Sequence, residues 1–317
     1  MITVRSQSEL EEAIRPTGMA SNGPIGFVPT MGSLHQGHLS LVRSSVAEGG
    51  MTVASVFVNP TQFGPGEDFD AYPRDEATDS ELLESAGCDV LFLPRFEDVY
   101  PEGFATTVLA DRSLTGVLCG RSRGDSHFDG VTTVVARLFG LVRPDFACFG
   151  EKDWQQLRIV TRMASDLHPS LRIIPCPTVR EPDGLAMSSR NANLSDAERS
   201  QAAALPAALR SLADAASQGE GNPAVALGAA SARLNEAGLE VDYLEIRHAD
   251  DLTSCADPAR HSCDADPAHL PRVFVAARTE RTRLIDNEPI FTGSTRFRTS
   301  HQTAKGAATA RRAASTT

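Results

Sequence analysis

A chain of 317 residues, 41% of them hydrophobic, is long enough for about two domains and a substantial core. Thirty basic against 41 acidic side chains leave a net charge of −11, which argues against a broad electrostatic footprint for DNA or RNA and leaves any phosphate to be held by a local cationic pocket. No apolar run approaches the ~18 residues of a membrane span, no leader pattern opens the chain, and the six cysteines (Cys88, Cys119, Cys148, Cys176, Cys255, Cys263) show no metal-ligand spacing, so the chain reads as a soluble, cytoplasmic protein with reduced thiols.

In chain order, short apolar runs rich in Val, Ile and Phe predict strands at 25–29, 52–58, 89–93, 145–149 and 172–176. Helical periodicity between them covers 39–47, 75–86, 131–141 and 153–167. This alternation predicts an α/β fold, a Rossmann-like doubly wound parallel sheet with helices on both faces, whose ligands bind beyond the carboxyl ends of the strands. After Val179 the composition changes. The loop REPDGLAMSSRN leads to Ser195 and Glu198, a capping box opening an Ala-rich helix; a second helix at 223–237 and strands at 241–247 and 272–277 follow. The expected domains are therefore a nucleotide- and substrate-binding unit at 1–179 and a smaller α+β lid at 180–292. Within the latter, 249–271 reads as an extended surface loop, and 293–317 as a disordered tail.

Polar motifs follow the strand ends. In IGFVPTMGSLHQGHLSLV a strand runs into a Gly-containing turn and a helix that opens with His35 and His38, three residues apart and able to face one spot. Gly32 and Gly37 would let the backbone approach an anion at the positive end of the helix. Exposed or capping histidines are the bland alternative. Asn59 and Gln62, in FVNPTQF, suit a small polar substrate, or Asn59-Pro60 simply forms a turn. In FGEKDWQQL, Lys152 can neutralise a phosphate, Asp153 can take ribose hydroxyls or cap the helix, and Gln156 follows in its first turn; a solvated turn is the other reading. Met187, Ser188, Ser189 and Arg190 form either a polyphosphate clamp or an ordinary linker. His127, in GDSHFDG, reads best as a satisfied structural histidine. No GxxxxGK[ST] loop or GxGxxG fingerprint is present.

Together MGSLHQGH, FVNPTQFGPGEDFDAYPR, FGEKDWQQL and GLAMSSRN resemble, in order and spacing, the pantothenate synthetase (pantoate–β-alanine ligase) family over about residues 1–292. More broadly, HQGH and MSSR are similar to the HIGH and KMSKS elements of the nucleotidyltransferase superfamily. The resemblance implies ATP- and Mg²⁺-dependent joining of pantoate to β-alanine through pantoyl adenylate, and commonly a homodimer. It implies an ATP site of Met31, Gly32, Ser33, Leu34, His35, Gln36, Gly37, His38, Gly150, Glu151, Lys152, Asp153, Val179, Met187, Ser188, Ser189 and Arg190. His38 would be the proton donor, with His35, Lys152 and Arg190 at the phosphates. Gln62, Gln156 and Asn59 would serve pantoate, and Gln62 also β-alanine. No protein ligand for Mg²⁺ is implied. Three features depart from the pattern: Trp154 stands where Tyr or Phe is usual, RGDSHF carries an extra residue before His127, and the segment with Cys255 and Cys263 looks inserted. A nucleotidyltransferase that transfers a nucleotide without a second acceptor, and a catalytically silent nucleotide binder, are the competing readings.

Overall fold

The computed structural model describes residues 1–15, 23–64, 69, 72–218, 222–256, 258 and 270–291. Six strands form one parallel sheet: β1 (Ile2–Val4), β2 (Ile25–Thr30), β3 (Met51–Val56), β4 (Val90–Phe92), β5 (Phe146–Gly150) and β6 (Arg172–Cys176), in the order β1-β4-β3-β2-β5-β6. Helices α1 (Gln7–Ile14), α2 (Gln36–Glu48), α3 (Glu76–Ser85), α4 (Phe96–Val99), α5 (Arg112–Thr115), α6 (Leu118–Arg123), α7 (Asp125–Val142) and α8 (Trp154–Leu167) lie between the strands.

Both faces of the sheet are covered, as alternate residues of one strand make plain. Phe27 meets Phe139 of α7 edge to face, with ring centroids 6.3 Å apart, whereas Val28 packs with Leu39 and Val42 of α2. Successive strand side chains point to opposite faces, so a strand buried on both reads as an unbroken apolar run. Burying each such side chain contributes roughly 1.5–3 kcal/mol. The strand order steps away from β2 through β3 and β4 on one side and through β5 and β6 on the other, which places the switch point between β2 and β5. Parallel sheets bind ligands beyond the carboxyl ends of the strands at that point.

Two elements near the N-terminus carry no strong periodic signal. β1 is a three-residue edge strand, and α1 is held by a capping box in which Ser6 and Glu9 satisfy each other's N–H groups. The expected Ser195 capping box is present: Glu198 accepts from the Ser195 N–H at 2.9 Å, at the start of α9 (Asp196–Ala202).

The chain divides into two compact units, Met1–Arg199 and Ser200–Thr317. Residues 180–199 therefore group with the first unit rather than the second. The Met187 N–H reaches the Val179 carbonyl at 3.0 Å, and Arg180 bridges Ala186, so the segment folds into a hairpin after β6. The second unit contains α10 (Ala204–Gln218), α11 (Pro223–Glu236) and an antiparallel sheet of β7 (Glu240–Arg247), β8 (Arg272–Arg278) and β9 (Arg283–Pro289) with β8 central. β9 is missing from the sequence expectation because its polar residues hide it: Asp286 and Asn287 are buried, and Asn287 accepts from Arg272 at 2.8 Å. In the expected surface loop 249–271, Ala249, Leu252, Cys255 and Leu270 are buried while Asp251, Thr253, Ser254 and Ala256 are exposed, so its described ends anchor in the core between exposed residues. Most of that loop, including Cys263, and the tail 293–317 lie outside the described residues.

Candidate active site

A cavity of about 260 Å³ opens at the switch point, lined from the first unit alone. It brings together residues of all four expected motifs: Met31, His35, Gly37 and His38 after β2; Asn59 and Gln62 after β3; Gly150, Lys152, Asp153 and Gln156 after β5; and Val179, Met187, Ser188, Ser189 and Arg190 in the hairpin segment. Gly32, Ser33, Leu34, Gln36 and Glu151 are not among its lining residues.

For Gly32, Ser33 and Leu34 the turn before α2 explains the split. Its backbone N–H groups are already given to protein acceptors: Gly32 to Thr30 Oγ1 at 3.2 Å, Ser33 to Asp79 Oδ2 at 2.9 Å, and Leu34 to Asp79 Oδ1 at 2.8 Å. The expected backbone cradle for an anion is therefore not what this turn offers. Gly32, at φ +84°, serves the turn itself and the close approach of Asp79. Gln36 accepts from Arg43 instead of facing the cavity.

The histidines use one nitrogen each for the fold. His35 is the N-cap of α2: its Nδ1 accepts from the Gly37 N–H at 3.1 Å, and His38 Nδ1 accepts from the His35 N–H at 3.3 Å. The rings stack loosely, 4.1 Å between centroids. A neutral imidazole with an accepting Nδ1 carries its hydrogen on Nε2, so each ring keeps an Nε2–H donor. Burial pushes the His35 pKa down from 6.5 to about 4, helped by the nearby Lys152 charge. Burial, His35 and Lys152 push His38 down to about 3. Near neutral pH the pair presents two neutral donors, and Lys152 and Arg190 supply the positive charge.

The turn after β3 works differently. Asn59, 1% exposed, has no polar atom to spare. Its amide NH₂ donates to Gln62 Oε1 and the Gly130 carbonyl, each at 3.2 Å, and its Oδ1 accepts from Tyr100 at 2.9 Å and from the Thr61 hydroxyl at 3.0 Å. Asn59 holds Gln62, whose Nε2 lies 2.9 Å from the Met31 Sδ. Helix α7 can press on this turn only because residue 130 is glycine; a Cβ there would sit 2.4 Å from the Thr61 carbonyl oxygen. His127 also supports the turn. Arg123 Nη1, which can only donate, lies 3.0 Å from its Nε2, so Nδ1–H donates to the Gln62 carbonyl at 2.9 Å.

At the end of β5, a 3₁₀ turn (Glu151–Asp153) leads into α8. Its paired glutamines divide their labour. Gln155 is buried and ties down the 114–119 segment, accepting from the Cys119 N–H at 3.0 Å and donating to the Leu114 and Val117 carbonyls at 2.8 and 2.7 Å. Gln156, about a hundred degrees round the helix, lines the cavity. Trp154 is buried and packs, as its replacement of Tyr or Phe requires. The MSSR segment is moored by Asn191, whose Nδ2 donates to Glu181 Oε1 at 2.5 Å and the Ala186 carbonyl at 3.1 Å, while Arg199 pairs with Glu181 and Asp183.

Motif reading missed the apolar wall of the cavity, formed by Phe57 and by Val131, Val134, Val135 and Leu138 of α7. The i, i+3, i+4, i+7 stripe was visible but signals any buried face. Asp79, Tyr100 and Asn191 carried no local signal.

Comparison with known proteins bears on the family and the fold. A sequence model of the family described as pantoate-beta-alanine ligase matches residues 2–289. The pantothenate synthetase of Novosphingobium aromaticivorans is 47% identical, covering 90% of this chain and 98% of its own. That of Sphingopyxis alaskensis is 48% identical, covering 92% and 100%. Among solved structures, pantothenate synthetase from Thermus thermophilus superposes with a TM-score of 0.83 at 46% identity, covering 92% of this chain and 100% of its own. Pantoate-beta-alanine ligase from Francisella tularensis, complexed with beta-gamma ATP and beta-alanine, superposes at 0.74 with 31% identity, covering 92% and 99%.

Proposed function

Because this chain belongs to the pantoate–β-alanine ligase family, we propose that its cavity condenses pantoate with β-alanine at the expense of ATP. The observation that carries this reading is the meeting, in one cavity, of two neutral imidazole donors, Lys152 and Arg190 with two glutamines and an apolar wall. Polyphosphate needs the first group; a small hydroxy acid with two methyl groups needs the second.

A pantoate carboxylate oxygen attacks the α-phosphorus, the bond to the bridging oxygen breaks, and pyrophosphate leaves with the electron pair. The neutral β-alanine amine then attacks the acyl carbon, AMP leaves, and the amine proton passes to solvent. No enzyme nucleophile takes part, so catalysis consists of positioning and charge stabilisation. Cys148, which lines the cavity, is held as a thiol by its contact with Cys176 and by burial. We assign His35 and His38 to the phosphates as Nε2–H donors, with Lys152, Ser188, Ser189 and Arg190 beside them. Gly150 and Asp153 are assigned to the ribose, Val179 and Met187 to the adenine, Gln62 and Gln156 to pantoate, and Gln62 also to β-alanine. Asn59 takes part by holding Gln62 rather than by touching substrate.

We also propose Mg²⁺ as cofactor. The donor set suits an ion that arrives on the nucleotide: among the described residues no group of three His, Cys, Asp or Glu could hold a metal, and Asp153 is the cavity's carboxylate. The ion would neutralise phosphate charge, held mainly by phosphate oxygens and water. Homodimerisation and a cytoplasmic location complete the proposal. The five described cysteines, all buried and unbridged, suit a reducing compartment, and among the described residues no helix is long and apolar enough to cross a membrane. Light scattering would test the dimer.

Pyrophosphate–ATP exchange, with Mg²⁺ and pantoate but no β-alanine, tests the central claim. Pantoate-dependent exchange, followed by AMP and pantothenate once β-alanine is added, is the expected result. Intact ATP binding without exchange would remove it.

A further inference from the structure

We infer that Asp79, outside every motif above and absent from the cavity wall, is a positioning residue for adenylation: its buried carboxylate holds the turn that aims His35 and His38 at the nucleotide. The inference rests on the assignment of those histidines to the phosphates.

Asp79 lies in the first turn of α3 and is 3% exposed. Each carboxylate oxygen takes one backbone N–H of the turn, Oδ2 from Ser33 at 2.9 Å and Oδ1 from Leu34 at 2.8 Å. The held backbone is costly by itself. Gly32 and Ser33 stand consecutively at φ +84° and +53°, and the second is not a glycine. A non-glycine residue in the left-handed region costs of order 1 kcal/mol and persists only where its surroundings impose it. Asp79 imposes it from one side. From the other, Gly32 donates to Thr30 Oγ1, which itself donates to the Ser55 carbonyl at 2.8 Å. His35 follows this turn directly and caps α2 through Nδ1, while its N–H fixes Nδ1 of His38. The direction of both Nε2–H groups thus depends on the path of residues 32–34, and that path on a carboxylate contributed by another helix. Space enforces the pairing as well: a Cβ on Gly32 would come within 2.8 Å of Asp79 Oδ2.

The test uses the full-length protein with Asp79→Asn, which preserves shape but sets an amide NH₂ against one of the two N–H donors, and Gly32→Ala, which disturbs the same contact from the opposite side. Misplacing a reacting group by about 1 Å costs up to about 100-fold. Both variants are expected to lose about that factor in the kcat of pantoate-dependent pyrophosphate exchange while pantoate KM is unchanged. Aminolysis of supplied pantoyl adenylate should fall much less. A purely structural Asp79 would reduce both half-reactions together, in proportion to the folded fraction. Selective ¹⁵N-histidine NMR gives a readout independent of turnover. The wild type should show His35 and His38 as Nε2–H tautomers, assigned with His35→Gln and His38→Gln, and Asp79→Asn should mix the tautomers. Should Asp79→Asn not fold, Gly32→Ala carries both measurements. Unchanged tautomers and full exchange in these variants, with His38→Ala still inactive, would overturn the inference and leave the site reading intact. Full exchange in His38→Ala would instead remove the site reading.

Discussion

The turns after β2 and β3 stand side by side at the sheet's carboxyl edge, yet they divide polar groups in opposite ways. After β2, the backbone and one nitrogen of each imidazole serve the fold, and the outer nitrogens of His35 and His38 remain for a ligand. After β3, Asn59 gives every polar atom to the fold, whereas Gln62 spends one N–H on Met31 and one lone pair on Asn59 and keeps the second of each for a ligand. Polarity at a strand end therefore identifies a site without separating the groups that touch substrate from those that hold them. The two glutamines at the start of α8 repeat the lesson within a single dipeptide.

The largest expected effect is on the β2 side. His38→Ala should lower the rate of pyrophosphate exchange by about 10²–10⁴-fold with ATP binding preserved, because a donor at developing charge is lost. Isothermal titration alongside the exchange assay checks both halves. On the β3 side the effect should appear in stability. Asn59→Ala leaves the Tyr100 hydroxyl with Thr61 alone, at 3.3 Å, and removes the side-chain donor from the Gly130 carbonyl, at about 0.5–1.5 kcal/mol for each bond lost. Urea denaturation reads this directly, and a variant as stable as the parent would dissolve the contrast between the turns.

Smaller again should be Gln156→Ala, with an approximately tenfold rise in pantoate KM, about 1.4 kcal/mol, and an unchanged unfolding midpoint. Gln155→Ala should reverse that pattern, losing stability because it removes three hydrogen bonds to the backbone of the 114–119 segment. Equal falls in ATP and pantoate affinity in Gln156→Ala would contradict the pocket assignment. Last comes a pH slope. His35 and His38 titrate at about 4 and about 3 in the folded chain against 6.5 unfolded, so the unfolded state binds more protons between those values. Their contribution is present above pH 6.5 and is lost as pH falls toward about 4 for His35 and about 3 for His38. Unfolding free energy of the wild type should drop over that window more steeply than that of a His35→Gln/His38→Gln double variant.

Much of this was legible beforehand because the parallel sheet is buried on both faces, and unbroken apolar runs mark β2 and β3 on sight. The motif at each strand end was readable by residue type, and four motifs in order carried the family. Short or polar elements were not readable. β1 has too few residues to show a period, and β9 replaces apolar alternation with a buried Arg272–Asn287 hydrogen bond.

Sequence by itself determined the fold class, the alternation of the longer apolar strands and helices, and which residue types could meet a nucleotide and a hydroxy acid, since these follow from local periodicity and side-chain chemistry. Tertiary structure alone decided their employment. Whether a polar atom is open to substrate or consumed by the fold depends on partners distant in the chain, such as Asp79 for Ser33 and Leu34, or Gly130 and Tyr100 for Asn59. Hydrogen bonds saturate, so a group's chemistry becomes available only where packing has left it unpaired.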